Sequence, residues 1–272
     1  MAELPELVIL ARQMHEALAG RTIVVVEANR PECLNVPPEV LRQVLPGRSI
    51  VSVTRRGKWL FLNLAPASHL LLNLGMGADL WYYRPGEELP AKYQFRLELD
   101  DGAGFTCRFW WFGYIRFLKP EELAGHKETA GIGPSPFEIG PEEFAALVAG
   151  APRATVKSFL LDQKKISGIG NAYAHDILWH AGLHPLRKLG TLTPDEIERL
   201  YLSMLHILER GIALGGVERD FYRTGGNMND WEPFMLIGCK AGKPCPRCGT
   251  AITVIETGAT KSFLCPRCQP GP

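Results

Sequence analysis

Four cysteines near the end of the chain have the spacing of a metal site. They form two Cys-x-x-Cys pairs separated by sixteen residues. Each pair can turn two thiolates toward one ion, and four thiolates around one ion is the tetrahedral arrangement of a structural zinc site. Two β-prone runs lie between the pairs, at residues 251–255 and 262–264, and predict a hairpin attached to the metal. The predicted zinc ligands are Cys245, Cys248, Cys265 and Cys268.

The charge around these cysteines is positive. One acid, Glu256, stands against five cations, so the segment carries 5 − 1 = +4. A small basic hairpin of this kind suits a phosphate backbone. Two alternatives stay open: a zinc staple that only holds the tail, and a pair of disulfides. The lack of a visible export signal favours zinc over disulfides. The five cations are Lys240, Lys243, Arg247, Lys261 and Arg267.

The composition indicates an ordinary globular chain. Of its 272 residues, 46% are hydrophobic and 22% are charged, and the net charge is +1. A surface for nucleic acid must therefore come from an uneven distribution of charge. Because no apolar run reaches the length of a membrane span, we expect no membrane association. We expect a cytoplasmic, bacterial-type monomer that acts on the nucleoid.

The elements that must position this chemistry follow the hydrophobic periodicity. Apolar residues at three- and four-residue steps predict a helix from Leu4 that ends near Gly20. Eight short strands between residues 22 and 118 predict an antiparallel sandwich, and Arg55-Arg-Gly-Lys58 makes a tight turn between two of them. A Gly/Pro-rich linker and four helices follow. The predicted fold class is α+β: an N-terminal helix and antiparallel β-sandwich (1–125), a linker (126–138), a helix–two-turn–helix domain (139–238) and a zinc hairpin (239–272).

The connection between two of these helices is a second candidate site. Residues 164–171 join them through a turn with two glycines. Glycines let a ligand approach the backbone closely, and the following helix presents free N–H groups. The segment is therefore either a phosphate-binding turn or an ordinary helix connection with solvated lysines.

Taken together, these motifs resemble the formamidopyrimidine-DNA glycosylase and endonuclease VIII family of base-excision repair enzymes. The resemblance spans nearly the whole chain and rests on several motifs in a fixed order. Their number and order make the resemblance more specific than any single motif. The motifs are Glu3-Leu-Pro-Glu6, Arg56-Gly-Lys58, Leu74-Gly-Met-Gly77, Gly168-Ile-Gly-Asn-Ala-Tyr-Ala174 with Gly182-Leu-His-Pro185, Gly215-Gly-Val-Glu-Arg-Asp-Phe221, and the four cysteines with the closing Cys-Pro-x-Cys-Gln.

The resemblance implies a reaction that starts at the chain terminus. In this family the amine exposed by removal of the initiator methionine attacks the sugar carbon that bears a damaged base. It forms a Schiff base, and elimination then cuts the strand. The implied catalytic residues are Ala2 as the amine, Glu3 as the carboxyl that assists ring opening and proton transfer, and Lys58 as the lysine that aids base release.

Position 2 departs from the family, which usually has proline there. Ala2 is small enough for Met1 to be clipped, but it gives a primary amine. The imine of a primary amine can lose a proton and become neutral, whereas the iminium of proline cannot. We therefore expect altered catalysis with a weaker elimination step.

The implied DNA contacts depart from the family as well. Thr260 stands where the zinc hairpin usually carries an arginine, with Lys261 beside it, and Asn73 stands where a histidine is common. Tryptophans at two strand-end positions replace arginines, so they would stack on bases or, alternatively, belong to the sandwich core. The implied DNA-binding residues are Met76, Trp110, Trp111, Phe112, Lys157, Asn171 and Lys261.

The implied partner is double-stranded DNA with a damaged base or an abasic site. Residues 215–226 match a loop that covers a flipped base in some members, and Arg219 and Arg223 there could contact it. Two other functions stay open: a damage-binding protein without turnover on the same scaffold, which the changes at Ala2 and Thr260 motivate, and an unrelated zinc-ribbon protein of transcription or translation.

Overall fold

The chain folds into two compact units. The computed structural model describes residues 2–216 and 232–271. The first unit holds the described residues up to Gly131, and the second begins at Ile132. This division falls inside the 126–138 segment that the sequence predicts as a linker. Within the described ranges, no helix is both long and apolar enough to cross a membrane.

The first unit is a helix followed by two four-stranded antiparallel sheets. The strand orders are β1-β6-β7-β5 and β2-β3-β4-β8. Buried leucine, isoleucine, valine and phenylalanine side chains from both sheets and from the first helix form one continuous core. The predicted sandwich is confirmed, and a short helix, α2, is an addition that the sequence analysis missed. The elements are α1 (Leu4–Leu18), β1 (Ile23–Ala28), α2 (Pro38–Val44), β2 (Ser49–Arg56), β3 (Trp59–Ala65), β4 (Ser68–Asn73), β5 (Ala78–Tyr83), β6 (Phe95–Leu99), β7 (Gly104–Phe109), β8 (Tyr114–Leu118) and α3 (Pro120–Leu123).

Helix α1 lies on strand β2 and runs in the opposite direction. Just after the helix, the Gly20 N–H donates to the Ile50 carbonyl at 2.8 Å. Nearer the helix start, the Val53 N–H donates to Nδ1 of His15 at 3.2 Å. Helix numbering therefore falls as strand numbering rises. The beginning of α1 and the end of β2 consequently lie at the same end of the sandwich.

The second unit consists of helices followed by a two-stranded hairpin. Gly182 ends the third helix of this unit in the left-handed conformation, as its position after the apolar periodicity predicts. The hairpin strands pair antiparallel between the two cysteine pairs, so the predicted hairpin is confirmed. The elements are α4 (Pro141–Ala149), α5 (Val156–Leu161), α6 (Asn171–Ala181), α7 (Pro194–Ala213), β9 (Thr253–Thr257) and β10 (Thr260–Leu264).

Candidate functional site

The start of helix α1 and the tip of the β2–β3 hairpin form the first part of the site. Glu3 lies twelve residues before His15, about 18 Å along a helix that rises 1.5 Å per residue. Strand β2 continues for three residues beyond Val53, to Arg56, about 10 Å at 3.3 Å per residue, and Gly57 and Lys58 form the turn after it. Since the two elements run in opposite directions, the start of α1 and the turn with Lys58 lie toward the same end of the unit.

Glu3 caps the helix. Its backbone N–H donates to Oε2 of Glu6 at 2.9 Å, and the two residues form a capping box. The Glu3 side chain is buried, with 2% of its surface exposed. The carboxyl predicted to assist the reaction is therefore held in a fixed place at the first turn of α1.

Ala2 is buried with Met1 still preceding it in the chain. It belongs to the core cluster of the sandwich, and 3% of its surface is exposed. In the unprocessed chain its nitrogen is an amide to Met1. Removal of Met1 would convert that amide into an amine, on a residue that packing already holds in place. Lys58 is half-buried at the hairpin tip.

A tight turn that carries Met76 lies beside the Lys58 hairpin. The Gly77 N–H donates to the Leu74 carbonyl at 3.0 Å and closes the turn. Gly75 has a φ of +55°, and a Cβ there would lie 1.7 Å from the Phe112 carbonyl oxygen. Only glycine fits this close approach. The Met76 side chain is 49% exposed at the top of the turn.

The aromatic residues that follow β7 have different environments. Trp111 is 74% exposed and Phe112 is 47% exposed, so both rings are accessible. Trp110 packs against the core, and its Nε1 donates to Oδ1 of Asp79 at 2.8 Å. Its ring also covers Gly77, where a Cβ would lie 2.5 Å from it. Trp110 therefore belongs to the sandwich core. Trp111 is the tryptophan whose ring is exposed and could stack on a base.

Lys157 corrects one prediction. The family resemblance implies a direct contact between Lys157 and DNA, but the side chain is buried, with 2% of its surface exposed. Its ammonium nitrogen lies 2.7–2.9 Å from four oxygens of the β9–β10 hairpin, and its three N–H groups can donate to three of them at a time. In this structure Lys157 fastens the hairpin to helix α5 instead of facing solvent. The four acceptors are the hydroxyls of Thr257, Thr260 and Ser262 and the carbonyl of Lys261.

Thr260 is one of these acceptors, so it has a structural role at the position where the family usually carries an arginine. The neighbouring Lys261 side chain is exposed. Asn171, the first residue of α6, donates to Nε2 of His175 at 3.2 Å. Burial, together with the nearby cation of Lys157, lowers the pKa of His175 to about 3. His175 is therefore neutral near pH 7 and can accept this hydrogen bond.

The four predicted cysteine ligands come together in the second unit. Their sulfur atoms all lie within 4.8 Å of one another, and the Sγ atoms of Cys245 and Cys268 are 3.9 Å apart. A tetrahedral ion with metal–sulfur bonds of about 2.3 Å requires sulfur atoms about 3.8 Å apart. None of the cysteines forms a disulfide, so that alternative is excluded for this structure. The cluster fits a structural metal ion.

Two residues that the sequence does not mark as part of the site support this cluster. Trp179 of α6 donates from Nε1 to the sulfur of Cys245 at 3.3 Å. Asp176, one turn earlier, is fully buried and accepts the backbone N–H groups of Leu236, Ile237 and Gly238 at 2.6–3.1 Å. These bonds fix the chain just before the cysteine hairpin. No motif in the sequence marks either residue, because both partners lie about 60 positions away.

Replacing Lys157 with methionine should destabilise the second unit. The change removes the three N–H donors that these hairpin oxygens surround, and we expect a loss of at least about 2 kcal/mol in the free energy of unfolding. Lys164→Met, at an exposed lysine on the connection after the same helix, should change it little. Denaturant unfolding of both variants measures this. If the Lys157→Met variant is stable but has lost DNA affinity, the result would instead support a direct contact between Lys157 and a DNA phosphate.

The same lysine predicts a pH dependence. Burial lowers the pKa of Lys157 to about 8, whereas an unfolded lysine titrates near about 10.4. Between these values the unfolded chain binds more protons than the folded chain. Lys157 therefore makes stability rise with pH across that window. Unfolding measured from pH 7 to 10.5 should show this rise in the Lys164→Met control and lack it in Lys157→Met.

Together the two units define a class of protein: a helix-led β-sandwich followed by a helical unit that ends in a four-cysteine hairpin. Family models match three segments of the chain in that order. They are the formamidopyrimidine-DNA glycosylase N-terminal domain at residues 1–110, the formamidopyrimidine-DNA glycosylase H2TH domain at residues 132–222, and the zinc finger found in FPG and IleRS at residues 242–271.

Full-length relatives agree with these matches. A formamidopyrimidine-DNA glycosylase of Chloroflexus aggregans is 36% identical over 99% of this chain and 98% of its own length. One of Gluconobacter oxydans is 35% identical over 99% of this chain and 100% of its own length. A Lactococcus lactis Fpg in complex with DNA that contains an abasic site has a TM-score of 0.88 at 25% identity, over 99% of this chain and 100% of that one. The chain belongs to the formamidopyrimidine-DNA glycosylase family.

The flipped-base loop stays a prediction. Arg219 and Arg223 lie outside the described residues, so their role as contacts to an extruded base rests on the sequence alone.

Proposed function

We propose that this chain is a base-excision-repair DNA glycosylase with abasic-site lyase activity. Its substrate would be duplex DNA with a damaged base. The observation that supports the proposal is that the capped start of α1 and the Lys58 hairpin tip lie at the same end of the sandwich, in a member of this family. Solved relatives are complexes with DNA that contains an abasic site, Fapy-dG or carbocyclic 8-oxo-G.

The proposed reaction starts at the Ala2 amine after Met1 is removed. The amine attacks the sugar C1′, the base leaves with the bonding electrons and a proton, and the opened sugar is held as a Schiff base. Glu3 would exchange the proton of the ring oxygen, and Lys58 would assist departure of the base. Loss of a proton from C2′ then drives elimination of the 3′ phosphate.

The DNA contacts form a separate part of the proposal. Met76, Trp111 and Phe112 present exposed apolar surface that would fill the gap left by an extruded base. Trp110 would support that surface from below through Gly77 and Asp79. In the second unit, Asn171 and the exposed Lys261 would contact phosphates, and Lys157 would act by holding the hairpin.

We assign the metal as one Zn²⁺ ion. Four thiolates at tetrahedral spacing are a soft ligand set that zinc commonly occupies in structural sites. The ion would cross-link the ends of the hairpin. We also assign the protein to the bacterial cytoplasm, where the DNA of its bacterial relatives lies, as a monomer with the catalytic residues in the first unit and the phosphate contacts in the second.

Two assays with duplex oligonucleotides test the proposed function. Borohydride should trap a covalent adduct between the processed protein and an abasic-site duplex. A Fapy-dG duplex should lose its base and be cut at that position. Tight binding of both duplexes with neither adduct nor cleavage would contradict the proposal and leave a damage-binding protein on the same scaffold.

A further inference from the structure

The side chain of Asn73 connects the two loops that carry Lys58 and Met76. Asn73 is the last residue of strand β4. Its Nδ2 donates to the backbone carbonyl of Lys58 at 3.2 Å. Its Oδ1 accepts the backbone N–H of Gly75 at 2.9 Å. One amide group thus holds the hairpin tip on one side and the Met76 turn on the other.

Each bond acts at a place where the backbone is otherwise weakly held. Lys58 and Gly57 lie between β2 and β3, beyond the last paired residues of the ladder. The bond to Gly75 is an Asx-type contact with the residue two positions on, and it sets the first half of the turn that lifts Met76 into solvent. Asn73 uses both the donor and the acceptor of its amide, so its role is to hold the two loops and not only to fill space.

The far side of the Met76 turn is fixed independently of Asn73. The Trp110 N–H donates to the Gly77 carbonyl at 3.0 Å, and the Trp110 ring covers Gly77. The Phe112 carbonyl crosses over Gly75. The part of the turn that these contacts do not hold is its junction with β4, and Asn73 lies at that junction.

We infer that Asn73 is a positioning residue that couples base extrusion to base release. The inference rests on the proposed function of Lys58 and Met76. When Met76 enters the space of an extruded base, it displaces the turn. The two hydrogen bonds of the Asn73 amide transmit this displacement to the Lys58 hairpin. Asn73 thereby keeps Lys58 at a fixed position relative to the turn that displaces the base. Asn73 itself contacts neither the base nor the sugar.

Two substitutions separate the two bonds. Asn73→Ala removes both. Asn73→Asp keeps the acceptor for Gly75 and loses the donor to Lys58. We expect Asn73→Asp to bind a Fapy-dG duplex with nearly wild-type affinity but to excise the base slowly, whereas Asn73→Ala should be impaired in both. Misplacement of a reacting group by about 1 Å can cost about 100-fold in rate, so single-turnover excision should fall about 10- to 100-fold in each variant.

The abasic-site duplex is the internal comparison. It has no base to extrude or release, so borohydride trapping by both Asn73 variants should stay within about threefold of wild type. A double-mutant cycle with Met76→Ala on the Fapy-dG duplex tests the coupling directly. If Asn73 acts through the turn, its loss should cost less once Met76 is gone.

Asn63→Ala is the matched control. Asn63 is a half-buried asparagine of the same sheet, and its amide donates to the hydroxyl of Ser52 at 3.0 Å. Its Oδ1 also pairs with Nδ1 of His69 at 2.9 Å, so Asn63→Ala, like Asn73→Ala, removes bonds from both ends of the amide. These bonds lie away from both loops, so excision and trapping should both persist. Equal losses in Asn63→Ala and Asn73→Ala, or normal excision by Asn73→Ala, would overturn the inference. A wild-type chain that forms no adduct at all would instead count against the proposed function.

Discussion

A chain that retains residues before Ala2 is expected to form no borohydride-stable adduct with an abasic-site duplex, and the same chain should form one once Ala2 is first. An amide nitrogen has no basic lone pair and cannot attack the sugar. A protein with a removable N-terminal extension gives both states from one preparation. Trapping before and after cleavage, with mass spectrometry of the intact terminus, measures the effect.

The size of the effect follows from the ionisation of amines. An α-amine with a pKa of about 7.8 is roughly 14% neutral at pH 7, and a lysine near about 10.4 is roughly 0.04% neutral. The terminal amine therefore has an advantage of several hundredfold before any effect of its surroundings. Placement at the start of α1 disfavours its positive charge, whereas the carboxylates of Glu3 and Glu6 favour it.

A series at position 2 tests the chemistry of the amine itself. Ala2→Gly keeps a primary amine and should still be trapped. Ala2→Pro restores the secondary amine that the family usually has, and its iminium cannot lose a proton. We expect Ala2→Pro to cleave more strand per trapped adduct than the natural chain. An adduct from the extended chain would show that another amine is the nucleophile, and its loss in Lys58→Met would then identify that amine.

Residues whose partners are close in sequence could be predicted from the sequence. The cysteine pairs, the start of helix α1 near Leu4 and the glycine after α6 each depend on residues a few positions apart, and the structure contains all three. Their spacing is set by local geometry, which is the same in any fold. The order of sandwich, helices and hairpin followed for the same reason from hydrophobic periodicity.

Residues whose partners are far apart in sequence could not be predicted. The family resemblance implies a DNA contact for Lys157, yet the acceptors of its side chain lie about 100 positions away in the hairpin. Asn73 departs from the family pattern, and the sequence does not indicate its role, since Lys58 comes fifteen positions earlier, on the other side of a strand. In both cases the side chain has a common type, and only the fold shows which atoms it meets.

Removal of the metal ion should abolish DNA binding and leave the sandwich folded. The hairpin has two strands, and an isolated two-stranded hairpin is at best marginally stable in water. Its own core is small: Trp179, Ile237, Cys245, Ile252 and Cys265. Zinc binding supplies about 10–16 kcal/mol in comparable small sites, so the hairpin should not survive its loss. The sandwich has a separate, larger core and no cysteine ligand.

The loss should reach beyond the hairpin. The oxygens around the Lys157 ammonium all belong to the hairpin. When the hairpin unfolds, Lys157 on helix α5 therefore loses these hydrogen-bond acceptors. We therefore expect chelation to lower the affinity for an abasic-site duplex by at least about 100-fold, or about 2.7 kcal/mol. Fluorescence anisotropy measures the affinity. Hydrogen exchange should find the amides of β2, β3 and β4 still protected.

Substitution of Trp179 should weaken zinc binding without removing the ion completely. Its indole N–H bonds to the sulfur of Cys245, and loss of such a supporting bond typically lowers metal affinity about 10- to 100-fold. Trp179→Phe should therefore release zinc to a competing chelator more readily. Trp81→Phe is the control, because the Trp81 indole nitrogen is buried without a hydrogen-bond partner. Unchanged DNA affinity after verified loss of zinc would exclude the hairpin as a DNA contact and leave Asn171 alone among the phosphate contacts proposed for the second unit.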